Sequence, residues 1–166
     1  TNLDYAAKKN TRLILATTGY SKQQRNLIAQ YAEQIPIFYS ANMSLGVNLQ
    51  KEFCRQAAAF FGDTVDIEIV ERHHNRKVDA PSGTAMLLAE AIQESEGHRH
   101  EFVYGRHGLD AKRKPGEIGI HAIRGGNIVG EHEVLFITNE ELLEINHRSQ
   151  DRRVFAAGAL RAARFF

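Results

Sequence analysis

His73 and His74 are adjacent, Lys77 follows shortly after, and Pro81-Ser82-Gly83-Thr84 comes directly behind them. An imidazole titrates near neutral pH and is the side chain most often used as a general acid or base. An ammonium close by can donate a proton or steady developing negative charge. Ser82, Gly83 and Thr84 stand where a helix should begin, and a helix N-terminus offers free backbone N–H groups and partial positive charge. With Gly83 allowing close approach and two hydroxyls adding donors, this turn suits a carboxylate or a phosphate. Residues 71–85 therefore combine proton-transfer groups with an anion pocket. A plainer reading stands beside this one: exposed loop histidines, a solvated lysine and an ordinary cap in which Ser82 serves its own backbone.

A strand must carry these residues. Val65, Ile67 and Ile69 alternate with Asp66, Glu68 and Val70, the period of a strand with one face mostly polar. If that strand ends near Arg72, then His73, His74 and Lys77 lie on the loop beyond its carboxyl end, a usual address for chemistry in α/β proteins. Gly83 to Glu94 reads as the helix that follows. Upstream, residues 2–9 read as helix, and Arg12 to Thr17 as a short buried strand closed by Thr18-Gly19. Ser21 can cap a helix carrying Leu27, Ile28, Tyr31 and Ala32, and Pro36 opens a second strand, Ile37 to Ser40. Strand, helix, strand at this spacing is a βαβ unit with parallel pairing. Ala16-Thr17-Thr18-Gly19 and Ser40-Ala41-Asn42-Met43-Ser44 each follow one of its strands. Their small residues leave space for a flat ligand at the carboxyl edge, although strand-end turns favour such residues in any case.

Ser44 opens a long helix with Leu45, Leu49, Phe53, Ala57 and Phe60 on one stripe, stopped by Gly62. Residues 95–117 form a long polar connection. Ile118–Ile123, Ile128–Ile137 and Leu142–His147 read as three strands joined by Gly125-Gly126-Asn127 and Asn139-Glu140-Glu141, short connections that make antiparallel meanders. A closing helix, Asp151 to Phe166, carries Phe155, Ala159, Ala162 and Ala163 toward a core. The expected fold class is α/β: a βαβ piece over 1–43, an α+β domain with a largely antiparallel four-strand sheet over 44–150, and a helix over 151–166 returning to the first piece.

With 21 Lys+Arg against 20 Asp+Glu, no global basic field argues for nucleic acid. Arg106, His107, Lys112, Arg113 and Lys114 form a local basic cluster that reads as a solvated loop. Hydrophobic residues at 43% can supply a core, yet no run is long enough to span a membrane and no signal peptide is visible. The single Cys54 excludes an internal disulfide and fits a reducing, cytoplasmic setting; on a helical pattern it reads as a small apolar residue. His121, His132 and His147, with Glu131 and Glu133 near one of them, are spread over three strands without metal-ligand spacing, so no metal is expected. The chain starts without Met in what reads as helix and stops on an apolar helix tail, Arg164-Phe165-Phe166, as a fragment of something longer would.

The stretch from Glu71 through Arg72-His73-His74-Asn75-Arg76-Lys77-Val78-Asp79-Ala80-Pro81-Ser82-Gly83-Thr84 to Ala85 closely resembles the signature of the dihydrodipicolinate reductase (4-hydroxy-tetrahydrodipicolinate reductase) family. Thr17-Thr18-Gly19, Ala41 to Asn48, Arg124 to His132 and Phe155 to Ala159 extend the resemblance in family order over nearly the whole chain. It implies a cytoplasmic homotetrameric oxidoreductase of lysine and diaminopimelate biosynthesis. In it His73 transfers a proton, Lys77 donates one, and His74, Ser82, Gly83 and Thr84 hold the carboxylates of a cyclic dicarboxylate. It further implies NADPH or NADH held on the nicotinamide side by Ala16, Thr17, Thr18, Ser40, Ala41, Asn42 and Met43, within the second half of a Rossmann domain, and a tetramer formed through the sheet. Ala16 stands where the family has Gly and Met43 where it has Phe. The family's glycine-rich first turn and the segment that separates NADH from NADPH are not in this sequence, so the 166 residues alone are expected to be an inactive or weakly active fragment. The alternatives carried forward are a non-catalytic binding or assembly module of the same fold and a metal-dependent hydrolase built on the scattered histidines.

Overall fold

The computed structural model describes residues 1–97 and 99–165. The chain divides into two compact units, Leu45–Arg152 and a smaller one in which Thr1–Ser44 joins the C-terminal helix.

In the smaller unit, helix α1 (Asn2–Lys8) precedes strand β1 (Leu13–Leu15), helix α2 (Lys22–Ala32) and strand β2 (Ile37–Tyr39). Thr1 and Ser21 each cap the helix behind them through a reciprocal capping box, which satisfies amides that the helix itself cannot. β1 and β2 pair in parallel with Leu13, Ile14 and Leu15 opposite Ile37, Phe38 and Tyr39, the βαβ arrangement that the spacing predicts. The last helix, α5 (Arg153–Phe165), belongs to this unit. Along it Ala162 is buried and Phe155 and Ala159 are half-buried, but Ala163 is exposed, contrary to expectation. The expected end of this helix at Phe166 lies outside the described residues.

The larger unit is a five-stranded sheet with two helices against one face. It comprises α3 (Leu45–Phe61), β3 (Asp66–His73), α4 (Gly83–Ser95), β4 (Glu101–Tyr104), β5 (Glu117–Arg124), β6 (Glu131–Ile137) and β7 (Leu142–Arg148). The strand order is β4-β5-β3-β6-β7. β5 pairs in parallel with both β3 and β4, whereas β6 pairs antiparallel with β3 and β7.

This corrects the expected four-strand, largely antiparallel sheet in two places. Glu101-Phe102-Val103-Tyr104, hidden in the polar 95–117 stretch, forms an edge strand. The Gly125-Gly126-Asn127 turn does not close a hairpin, because β3 lies between β5 and β6. The turn crosses the carboxyl end of β3, where Gly125 N–H donates to His73 O at 2.9 Å and Asn75 N–H donates to Gly126 O at 3.3 Å. Gly126 has φ +48°, a left-handed conformation that favours glycine. The β6–β7 pair is the hairpin that was expected.

The core is made by one side chain in two from the strands and one face of each helix. Ile67 and Ile69 from β3, Ile118 and Ile120 from β5, and Val134 and Phe136 from β6 meet Ala85, Leu88, Ala89 and Ile92 of α4 and Cys54 and Ala58 of α3. Of the apolar stripe expected of α3, Ala57 packs against this core but the large side chains do not. Leu45, Leu49, Phe53 and Phe60 are exposed, and the buried face is Val47, Gln50, Cys54 and Ala58. Gln50 is buried there because its amide donates to His132 O and Ile145 O, both at 2.8 Å, tying α3 to the backbone of β6 and β7.

Candidate active site

The alternation of β3 does not stop at its apolar residues. Ile67, Ile69, Glu71 and His73 share the buried face, so the strand carries a carboxylate and an imidazole into the end of the core. His73 is the last strand residue rather than part of the loop beyond it.

Glu71 is fully buried and fully partnered. Its Oε2 lies 2.6 Å from His73 Nδ1 and accepts from Arg124 Nη1 at 2.7 Å. Its Oε1 accepts from Arg124 Nη2 at 2.7 Å and from the Ser82 amide at 2.9 Å. Burial alone would raise the carboxyl's pKa, but the bonds from His73 and Arg124 outweigh it and hold the value down to about 2. Arg124 Nη2 also donates to the Asp79 carbonyl at 2.8 Å, so strand β5 grips the loop that follows β3.

Ser82 caps α4, with its hydroxyl accepting the Ala85 N–H at 3.2 Å. The same oxygen lies 3.0 Å from Nε2 of His132, a buried histidine of β6 whose ring meets that of His73 edge-on at 5.1 Å. Burial, reinforced by the nearby His73, pushes the His132 pKa down to about 3 despite the attraction of Glu71, so His132 is neutral. Ser82 is thus committed within the protein: the cap reading holds for its hydroxyl, and its amide belongs to Glu71. Thr84 is buried beside it and Gly83 half-buried.

Around this centre the charge is positive. His74 is half-buried, and its Nδ1 is buried without a hydrogen-bond partner. Burial and the charges of Arg152, Arg76, His73 and Lys77 lower its pKa. Lys77 is held by Asp79 at 2.7 Å, and Arg76 donates to Asn127 Oδ1 at 3.1 Å. An anion arriving here would relieve that repulsion and favour the imidazolium form.

The structure therefore gathers His73, Ser82 and the start of α4 around Glu71. Sequence reasoning assigns no role of their own to Glu71 and Arg124, and it weighs His132 only as a possible metal ligand. The signal for Glu71 was its place on the apolar face of an alternating strand, where an unpaired carboxylate would not be tolerated. His147 stands opposite His132 in the β6–β7 register, whereas His121 bonds Glu68 on the opposite sheet face, and among the described residues no three potential ligands are grouped to hold a metal.

In the smaller unit, Ala16, Thr17 and Thr18 are exposed just past Leu15, and Ser40 N–H donates to Leu15 O at 3.3 Å, so the two strand ends lie side by side. Ser40 Oγ donates to Asn42 O at 2.8 Å, and Ser44 N–H donates to Asn42 Oδ1 at 2.8 Å, which fixes the second turn. Asn42 and Met43 are buried, so the accessible part of this edge is Ala16 to Thr18 with Ser40 and Ala41. An open edge of small residues fits one flat ring, and no glycine-rich turn for a pyrophosphate occurs in these 166 residues.

A parallel βαβ unit with open strand ends, and a second α/β unit bearing a buried carboxylate–imidazole pair at a helix N-terminus, define a Rossmann-type α/β protein with an added site-bearing sheet. Two family models match the chain, dihydrodipicolinate reductase, N-terminus, over residues 1–43 and dihydrodipicolinate reductase, C-terminus, over residues 46–166, and the chain belongs to this family. The 4-hydroxy-tetrahydrodipicolinate reductase of Psychrobacter arcticus is 48% identical over 98% of this chain and 59% of its own length. That of Caldanaerobacter subterraneus subsp. tengcongensis is 49% identical over 96% of this chain and 63% of its own length. The dipicolinate-bound dihydrodipicolinate reductase from Paenisporosarcina sp. TG-14 superposes with a TM-score of 0.69 at 28% identity, covering 96% of this chain and 61% of that one. The chain thus spans about three fifths of the length of the relatives it matches. Among the described residues no helix is long and apolar enough to cross a membrane.

Proposed function

We propose that the chain carries the substrate site of an NAD(P)H-dependent reductase that converts dihydrodipicolinate, formed from 4-hydroxy-tetrahydrodipicolinate, to tetrahydrodipicolinate in lysine and diaminopimelate biosynthesis. The observation that carries this reading is the joining of His73 to the Ser82 amide through one buried carboxylate, in a chain of this family. Reduction of a C=C–C=N system needs a hydride and a proton, and the nicotinamide supplies the hydride when bound. His73 and Lys77 then handle the proton, while His74, Ser82, Gly83 and Thr84 hold the two carboxylates within the positive surroundings described above. Ser82 takes part as the fixed start of α4 rather than by a free hydroxyl. Ala16, Thr17, Thr18, Ser40, Ala41, Asn42 and Met43 form the nicotinamide edge, with Asn42 and Met43 beneath it. The enzyme is cytoplasmic and homotetrameric, associating through the sheet face opposite the helices, where Ile123 is exposed.

Calorimetric titration of the chain with dipicolinate, and separately with NADPH and NADH, tests this. Dipicolinate is expected to bind, with affinity reduced tenfold or more by Lys77→Ala, while both nucleotides bind weakly. Absence of dipicolinate binding to the folded chain would remove the proposal. Turnover matching that of a full-length family enzyme would remove the part that assigns weak activity to these residues alone.

A further inference from the structure

Glu71 has no assigned part in the reaction, yet it is the most completely coordinated ionisable group near His73. A carboxylate in contact with both terminal nitrogens of Arg124 is ionised and can only accept hydrogen bonds. His73 Nδ1, 2.6 Å from the same carboxylate, must therefore carry a hydrogen. Nε2 is left as the working nitrogen of the neutral ring. It faces Gly130, where a Cβ would stand only 3.1 Å from it, so a side chain at that position would crowd the nitrogen.

From this geometry we infer that Glu71, paired with Arg124, is a positioning residue that fixes His73 as its Nδ1–H tautomer and locks the ring to the amide opening α4. The inference rests on the proposed function, because it concerns the imidazole assigned to proton transfer there. Each oxygen of Glu71 has its own duty. Oε2 orients the ring, and Oε1 holds the Ser82 amide, so proton-transfer group and anion pocket keep one separation. Arg124 compensates the buried charge, and through the Asp79 carbonyl it holds the loop bearing Lys77 to the same centre. A buried ion pair is a weak source of stability compared with apolar packing, whereas it is an effective source of direction. His132, neutral and edge-on to His73, limits ring rotation from the other side.

Long-range proton–nitrogen NMR of the chain with 15N-labelled histidine, recorded with His73 neutral, reads the tautomer directly. The expected wild-type spectrum places the hydrogen on Nδ1 with Nε2 bare. In Glu71→Gln the side-chain amide can donate as well as accept, and a mixture of tautomers is expected, with dipicolinate binding weakened about tenfold. A wild-type ring in the Nε2–H form, or evenly mixed, overturns the inference whether or not any variant folds. An unchanged tautomer in folded Glu71→Gln also overturns it. If that variant does not fold, Glu71→Gln combined with Arg124→Gln removes both charges together and is read in the same way. Dipicolinate binding to the wild type separates the two readings. A fixed Nδ1–H tautomer without dipicolinate binding sinks the proposed function but not the positioning role, and binding with a mixed wild-type tautomer does the reverse.

Discussion

Ser82 Oγ and His132 Nε2 meet at 3.0 Å inside the larger unit, joining the first residue before α4 to the middle strand of the β3–β6–β7 ladder. His132 is buried and neutral, with its pKa pushed from 6.5 to about 3 by burial first and by His73 second. Between those two values the unfolded chain takes up a proton that the folded chain refuses. Stability must therefore fall as pH falls from about 6.5 toward 3, with a slope of at most about 1.4 kcal/mol per pH unit from this residue. His132→Gln is expected to flatten that part of the curve. Urea midpoints collected from pH 7 to pH 4 check it; parallel curves for the two proteins would exclude the assignment.

Gly158 lies against the backbone of Met43 within the smaller unit, and a Cβ there would run into the Met43 carbonyl. A backbone group cannot swing aside as a side-chain tip can. Gly158→Ala should gain helix propensity in α5 but lose more through forced displacement, a net cost of about 1–3 kcal/mol. Hydrogen exchange of the α5 amides should accelerate accordingly. Unchanged protection would mean that α5 shifts at no cost.

Much of this architecture was legible because strands announce themselves by period. Ile67 and Ile69 predict β3, and extending the same alternation by two steps reaches Glu71 and His73. What the pattern could not convey was partnership. Arg124 lies far from Glu71 in sequence and meets it only because β5 runs parallel to β3, with Arg124 opposite His73 in the register. Gly125-Gly126-Asn127 looks alike whether it closes a hairpin or crosses a third strand, since either path needs a tight turn. β4 was lost because its four residues carry little periodicity and sit on the sheet edge, half-buried at best.

The stripe on α3 makes the same point in energetic terms. Phe53 and Phe136 are both phenylalanines that the sequence gives no means of ranking, yet Phe53 is 48% exposed and Phe136 is 0% exposed. Phe136→Ala is expected to cost about 3–5 kcal/mol, whereas Phe53→Ala in the chain alone should cost about 1 kcal/mol or less. Chemical denaturation of both variants decides it. Comparable losses would show that the exposed stripe of α3 is covered in solution.

Glu68 tests how the β4–β5 connection is held. Its Oε1 accepts from Arg106 at 3.0 Å and Arg113 at 2.5 Å, and Oε2 lies 2.7 Å from His121 Nε2. Both arginines also reach Glu117, Arg106 its carboxylate at 2.8 Å and Arg113 its carbonyl at 2.6 Å. Gly119 is what makes room for this cluster, because a Cβ at that position would occupy the place of the Glu68 carboxylate. Gly119→Ala, which touches no charge, should therefore imitate Glu68→Gln. Each is expected to cost about 1–3 kcal/mol by leaving partly buried guanidinium groups short of acceptors. Each should also raise hydrogen exchange across residues 105–116 tenfold or more. The double variant should cost much less than the sum, since both changes remove one interaction. Additive losses, or an unaffected loop in Gly119→Ala, would show that the arginines are held without Glu68.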